Sequence, residues 1–260
     1  MSNQSAPVVL FVADSHFHLR PDAAERDRLE RFLAFLSFSR RATDLVLLGD
    51  IFDFWFDYPH FRLDGYEELL IALDAVRDAG TRLHFVGGNH DIWAAGYLRR
   101  RYGLAGDGEA VTVPFGSLRV RLDHGDGFLA RGPVYRSFRA IVRRRAGVLC
   151  AKSLHPELLY AFSTWLSGTS RMASRDEVSM IERRAGERLA AAGGAPWDLL
   201  VIGHVHHPFV TEHAGRTLAC LAGWLRTEGY GLLRNDRFDL LDFARDPLPD
   251  LPPRAPASGD

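Results

Sequence analysis

Three short apolar runs, VVLFVAD at 8–14, DLVLLGD at 44–50 and RLHFVGGNHD at 82–91, restrict this chain to a narrow set of folds. Between them lie two amphipathic stretches, Asp22 to about Arg40 and Tyr66 to Ala79, so the first half reads β-α-β-α-β. The runs do not alternate apolar with polar residues, which is the pattern of parallel strands covered on both faces. Each also stops on polar residues: Asp14, Ser15 and His16, then Gly49 and Asp50, then Gly88 to Asp91. Ligands of open α/β sheets bind beyond the carboxyl ends of the strands. Three successive strands thus deliver carboxylate, amide and imidazole to one edge.

After Arg101 the pattern changes. VTVPF and LRVRLDHGDG read as short strands turning at Gly116, and a helix-rich stretch follows from about Pro133 to Ala192. Strands then return as DLLVIGH, PFVTEH, RTLACLA, YGLLR and RFDLLDF, parted by turn signals at His213 to Gly215 and at Asn235-Asp236. Their close spacing predicts a second, antiparallel-rich sheet, and the whole predicts an α/β two-sheet sandwich flanked by helices. One domain over 1–245 would carry a helical insertion at about 130–192. Residues 246–260, rich in Pro and small polar residues, predict a disordered tail.

The segment LVIGHVHHP at 200–208 sharpens the picture. A lone histidine at a strand end is ordinarily a polar residue at the water line. His204 and His206, however, are two apart, and on an extended backbone they point the same way, a chelating arrangement, while His207 points to the other side. Gly203 permits a sharp turn and a close approach, and Pro208 prevents continuation as a central strand.

Composition removes several alternatives. A net charge of -1 and a pI near 6.8 argue against a surface built to grip nucleic acid. Cys150 and Cys220 lie far apart and outside any C-x-x-C spacing, so neither a disulfide framework nor a zinc ribbon is indicated, and a reducing compartment is expected. Pro7 to Ala13 has no basic segment before it and reads as a strand, not a signal peptide. No run is long and apolar enough to span a bilayer. The expected location is the cytoplasm, with peripheral membrane contact at most.

The strand-end groups are Asp14, His16, Asp50, Asn89, His90, His124, His204 and His206. Carboxylate, imidazole and amide oxygen without thiolate suit Mn²⁺ or Fe²⁺ as well as Zn²⁺. Without His90 there remain seven candidate ligands, too many for one catalytic ion. Two ions about 3.5–4 Å apart would use them, clamping a phosphoryl group and lowering the pKa of a bound water. Asp50 is the candidate bridge.

DSH at 14–16, GD at 49–50, GNHD at 88–91, HGD at 124–126 and GHVH at 203–206, in that order, resemble the five motifs of the calcineurin-like metallophosphoesterases. The resemblance implies their αββα fold, with Asp14, His16, Asp50 and His206 on one ion and Asp50, Asn89, His124 and His204 on the second. It implies that His90 stabilises charge or protonates the leaving group, and that Asp91 orients His90 or caps the following helix. His18 is read as a loop residue, with contact to substrate or metal as its alternative, and Asp53 either as facing the metal pair or as ordering its loop. The aromatic residues Phe52, Phe54, Trp55, Phe56 and Tyr58 are read as core, or as an apolar wall beside the metals.

Within that superfamily the chain is similar to the UDP-2,3-diacylglucosamine pyrophosphatases of the lipid A pathway. The shared features are the GDIFDFW segment at 49–55, the Tyr-x-x-Phe-Arg pattern at 135–139 after HGD, and Gly223-x with Trp224 after GHVH. The similarity implies a nucleotide-lipid substrate, cleavage to UMP and the acylated sugar 1-phosphate, and substrate contacts by Tyr135, Arg136, Arg139 and Trp55. The basic stretch from Arg136 to Arg145 reads either as a solvated helix packed on the core or as a lid offering arginines to a diphosphate or an anionic membrane. One departure stands out: those enzymes commonly carry Arg where this chain has His90. A phosphodiesterase or nucleotidase acting on a soluble substrate stays open as the second reading, and a non-catalytic scaffold as the third.

Overall fold

A computed structural model of the chain describes residues 6–56, 64–91, 93–102, 110–126, 175–191, 193–194 and 196–251, with backbone alone for 175–178. The elements run β1 (Val8–Val12), α1 (Ala23–Ser39), β2 (Asp44–Leu47), α2 (Glu67–Asp78), β3 (Arg82–Phe85), α3 (Ala94–Tyr102), β4 (Val111–Phe115) and β5 (Leu118–Leu122). They continue with α4 (Arg175–Ala191), β6 (Leu199–Ile202), β7 (Phe209–His213), β8 (Arg216–Cys220), β9 (Gly229–Arg234) and β10 (Arg237–Asp242).

The strands form two five-stranded sheets, β10-β9-β1-β2-β3 and β4-β5-β6-β8-β7. In β1 the period of two sorts side chains between layers. Val8, Leu10 and Val12 pack under α1 and α2, while Val9, Phe11 and Ala13 meet Phe115, Val120, Leu122, Val201 and Ala219 between the sheets. β6 is sorted likewise, with Leu199 and Val201 facing the first sheet and Leu200 and Ile202 facing Ala185 and Leu189 of α4. Strands buried on both faces explain why their sequences read as continuous apolar runs. The αββα sandwich is therefore as the sequence predicts.

Two expectations need correction. The second sheet is mixed: β5, β6 and β8 pair in parallel, and only the β4–β5 and β7–β8 pairs are antiparallel. The last two strands do not join it. β9 crosses back to pair antiparallel with β1, and β10 adds to β9, so they complete the first sheet. Strand spacing cannot reveal which sheet has a free edge, and β1 offers one.

α1 begins at Asp22, whose carboxylate accepts the Glu25 N–H at 2.8 Å, and buries Leu29, Phe32, Phe35 and Leu36. Each such side chain contributes roughly 1.5–3 kcal/mol on burial. Phe32 and Phe35 both pack 5.0 Å from the Trp224 ring, and the Trp224 backbone N–H donates to the Ala13 carbonyl at 3.0 Å. Trp224 thereby locks the helix to the end of β1, where the polar residues begin. Of the expected insertion at 130–192 only α4 is described, and its Ala185 and Leu189 form the fourth layer of the sandwich. Of the expected tail, Leu251 is buried in the α1 core and its carbonyl accepts from Arg41, so the segment packs at least to that residue. Residues 252–260 lie outside the described residues.

Candidate metal centre

The loops that leave β1, β2, β3, β5 and β6 meet at one edge. Asp14 N–H donates to the Gly49 carbonyl at 3.0 Å, His16 N–H to Asp50 at 2.9 Å, and Gly203 N–H to His124 at 3.0 Å. These ties hold an unusual backbone. Asp14, His16, Asp50, His204 and His206 all have left-handed φ, between 46° and 69°. Outside glycine that region is rare and costs on the order of 1–3 kcal/mol per residue, and such residues concentrate at functional sites. Here every one of them is an expected ligand.

Close approach requires glycine beside them. A Cβ on Gly88 would lie 2.0 Å from Asp50 Oδ1, and one on Gly203 would lie 2.8 Å from Asp14 Oδ2. The expected role of Gly203 in a close approach is thus what the geometry shows. The expected extended backbone is not, because both histidines after it have positive φ and lie beyond the end of β6. They serve different groups as a result.

Three sets of side chains bring ligand atoms within 4.8 Å of one another: Asp14, His16 and His206; His16, Asp50 and His90; Asp50, His124 and His204. His16 Nε2 lies 3.6 Å from Asp50 Oδ2, and His124 Nε2 lies 3.3 Å from the same oxygen. Asp50 therefore stands between the two outer sets, where a bridging carboxylate belongs. His207 meets Glu182 of α4 at 3.6 Å and is in none of the sets, as expected. Asn89 is exposed in the turn between Gly88 and His90.

The donor set fits divalent cations. His124 Nδ1–H donates to the Leu48 carbonyl at 3.0 Å, which leaves Nε2 buried and without a hydrogen bond. A ligating histidine is ordinarily held this way through its other nitrogen. His206 Nδ1 is likewise buried without a hydrogen-bond partner. Burial, with the charge of neighbouring histidines, pushes His204 down to about 4 and His206 down to about 3, so both rings are neutral near pH 7, the form that binds metal. Burial also lifts Asp14 to about 7 despite the nearby His124. For Asp50 burial opposes ionisation too, but His124, His90 and His16 together hold it well below the ordinary carboxylate range. Cations placed here would favour both carboxylates as anions.

His90 and Asp91 separate. His90 Nδ1–H donates to the Asp53 carbonyl at 3.0 Å and its backbone N–H to Asp50 Oδ1 at 2.9 Å, which fixes the ring. Among the described residues no contact of the Asp91 carboxylate with the His90 ring or with the start of α3 is found. Its carboxylate accepts backbone N–H groups of Gly88 at 2.8 Å, Asp50 at 3.1 Å, Ile51 at 2.8 Å and Phe52 at 3.3 Å. The expected catalytic role thus gives way to a structural one, tying the β2 turn to the β3 turn.

Trp55, expected beside the substrate, is only 5% exposed and packs among Phe52, Tyr66 and Tyr97. Its place is the core. Tyr135, Arg136 and Arg139 lie outside the described residues. Asp53 does more than order a loop: at 2% exposure its carboxylate lies 3.5 Å from His16 Nδ1 and 3.6 Å from His90 Nδ1. This is the alternative that the sequence left open for it, a residue of the GDIFDFW segment facing the metal pair.

The profile of a family described as Calcineurin-like phosphoesterase matches residues 7–208. A UDP-2,3-diacylglucosamine hydrolase of Pseudomonas paraeruginosa is 30% identical over 222 residues, covering 79% of this chain and 84% of its own. Proteins of the same name from Porphyromonas gingivalis and Aromatoleum aromaticum are 28% identical over 194 residues and 29% over 238. The first alignment covers 72% of this chain and 68% of the relative, the second 85% and 94%.

Proposed function

This chain belongs to the calcineurin-like phosphoesterase family, and on that premise we propose that it is a metal-dependent hydrolase of UDP-2,3-diacylglucosamine. The observation that carries the metal chemistry is the pair of ligand sets on either side of Asp50. Asp14, His16, Asp50 and His206 would hold one divalent cation, and Asp50, Asn89, His124 and His204 a second. Divalent cations held there polarise phosphoryl oxygens and lower the pKa of water. Manganese suits this nitrogen and oxygen donor set, with iron and zinc as alternatives.

One phosphorus–oxygen bond of the diphosphate breaks, the oxygen of water ends on the attacked phosphorus, and the products are UMP and 2,3-diacylglucosamine 1-phosphate. His90 is the residue placed to act on the reacting oxygens. Its ring is fixed through Nδ1, and as the imidazolium it would donate a hydrogen bond or a proton through Nε2 where negative charge develops. Replacing His90 with Ala should lower kcat by about 10²- to 10⁴-fold while metal content, measured by plasma mass spectrometry, stays at the wild-type level. A metal-depleted His90→Ala protein would instead make His90 a ligand.

In this reading residues 127–174 bind the lipid and the nucleotide, and Tyr135, Arg136 and Arg139 would meet the diphosphate. Among the described residues no helix is long and apolar enough to cross a membrane. We place the protein in the cytoplasm, reaching its lipid substrate by peripheral contact with the membrane surface. His90, standing where the lipid hydrolases commonly carry Arg, favours a second reading, a soluble phosphodiester substrate. Incubation with Mn²⁺ and UDP-2,3-diacylglucosamine, beside an aryl phosphodiester, separates the two. UMP released from the lipid, with little action on the ester, is the expected result; turnover of the ester alone would reject the lipid assignment.

A further inference from the structure

Glu25 is the third residue of α1 after its N-cap, a position from which glutamate ordinarily turns back to the N-cap N–H. Here both of its oxygens go to His18. Oε1 accepts the backbone N–H at 2.5 Å, and Oε2 meets the ring Nδ1 at 2.6 Å. Glu25 is 8% exposed on a helix whose other acidic residues, Asp27 and Glu30, face solvent, so its burial is local and specific. On its other side the His18 ring approaches Asp53, with Nε2 3.4 Å from Oδ2. Asp53 in turn backs the rings of His16 and His90.

A continuous line of side chains therefore runs from the start of α1 to the rear of two imidazoles in the metal centre. Arg28, one turn along α1, closes it: its guanidinium lies 3.6 Å from Glu25, donates to the carbonyls of His16 and Leu225 at 3.4 and 3.5 Å, and sits over the Phe17 ring. The arrangement has a physical purpose. Asp53 meets its three histidines at 3.4–3.6 Å. His18 packs on the side of it away from His16 and His90 and is anchored in turn by Glu25.

We propose that Glu25 and His18 are positioning residues of the metal centre, setting the orientation of His16 and His90 through Asp53. This rests on the metal-centre reading above. Partners behind a ligating histidine fix its ring and raise its basicity, and removing one typically costs about 10- to 100-fold in metal affinity or activity.

The test is titration of Mn²⁺ into metal-free protein by calorimetry, with kcat and KM at saturating Mn²⁺, for Glu25→Gln and His18→Phe. Glu25→Gln keeps the shape and an acceptor for the His18 N–H, so it carries the test should His18→Phe fail to fold. Both should bind Mn²⁺ about 10- to 100-fold more weakly and show lower kcat at unchanged KM. Glu68→Gln, at the exposed Arg26–Glu68 pair, should match wild type. If both variants melt lower without metal yet bind Mn²⁺ as wild type does, the residues serve helix capping alone and the proposal is overturned. Wild-type protein that binds no Mn²⁺ would overturn the metal-centre reading itself, a different result.

Discussion

Asp50→Asn removes metal-dependent turnover, by at least ~10³-fold, while the protein stays folded. The size follows from the several kcal/mol of charge stabilisation that a metal pair supplies, each 1.36 kcal/mol being tenfold in rate. The selectivity follows from what asparagine keeps. Asp50 has φ 52°, which asparagine tolerates better than most residues, and its Oδ1 accepts the His90 N–H at 2.9 Å, which an amide oxygen can still do. The charge and the second acceptor oxygen are lost, at the point where Oδ2 lies 3.3 Å from His124 and 3.6 Å from His16.

That charge also matters without metal. Asp50 is held below its ordinary value, so its contribution to stability is present above pH 3.8 and fades as pH falls through its folded value. His124 is held above its ordinary value, against burial, by the charge and contact of Asp50, so its contribution is complete below 6.5 and fades as pH rises. Metal-free Asp50→Asn should accordingly lose most stability, relative to wild type, between about pH 4 and pH 6.5. Metal content, turnover and melting temperature across that range check all of this. Near-normal turnover in Asp50→Asn would remove Asp50 from the bridge and the two-ion reading with it.

The layers of the fold were legible because strands buried on both faces write their burial directly into sequence, as Val8 to Val12 and Leu199 to Ile202 do. Sheet membership was not, since nothing local to β9 says that the free edge it will pair with belongs to β1. The candidate ligands were legible for a related reason: carboxylate and imidazole at the ends of apolar runs stand out. Their conformations were not. His204 and His206 reach their groups from left-handed backbone, which spacing arguments built on extended chain cannot foresee. Least visible were groups whose partners are distant in sequence, such as Asp53, which meets His16 and His90, and Asp91, whose carboxylate is used up on backbone amides. A charged residue inside a motif invites a chemical role, and only coordinates reveal that its oxygens are already taken.

Asp91→Ala tests that distinction with the largest expected loss of stability. The carboxylate is fully buried and accepts N–H groups from Gly88, Asp50, Ile51 and Phe52. Removing it leaves those amides without this acceptor, at about 1–3 kcal/mol for each buried donor left unpaired. These losses do not add fully, because one carboxylate serves all four. A net cost of ~4 kcal/mol is at the exceptional end for a point mutation and corresponds to a melting temperature lower by about 10 °C. Asparagine should not rescue it, since an amide keeps one acceptor oxygen and turns an NH₂ group toward the remaining donors. Activity should fall as well, because the two turns that Asp91 joins carry Asp50, Asn89 and His90. The two substitutions then diverge: at neutral pH Asp50→Asn loses metal with a largely retained melting temperature, whereas Asp91→Ala loses both. An Asp91→Ala protein that melts like wild type but does not turn over would return Asp91 to a chemical role and contradict the assignment made from its four amide contacts.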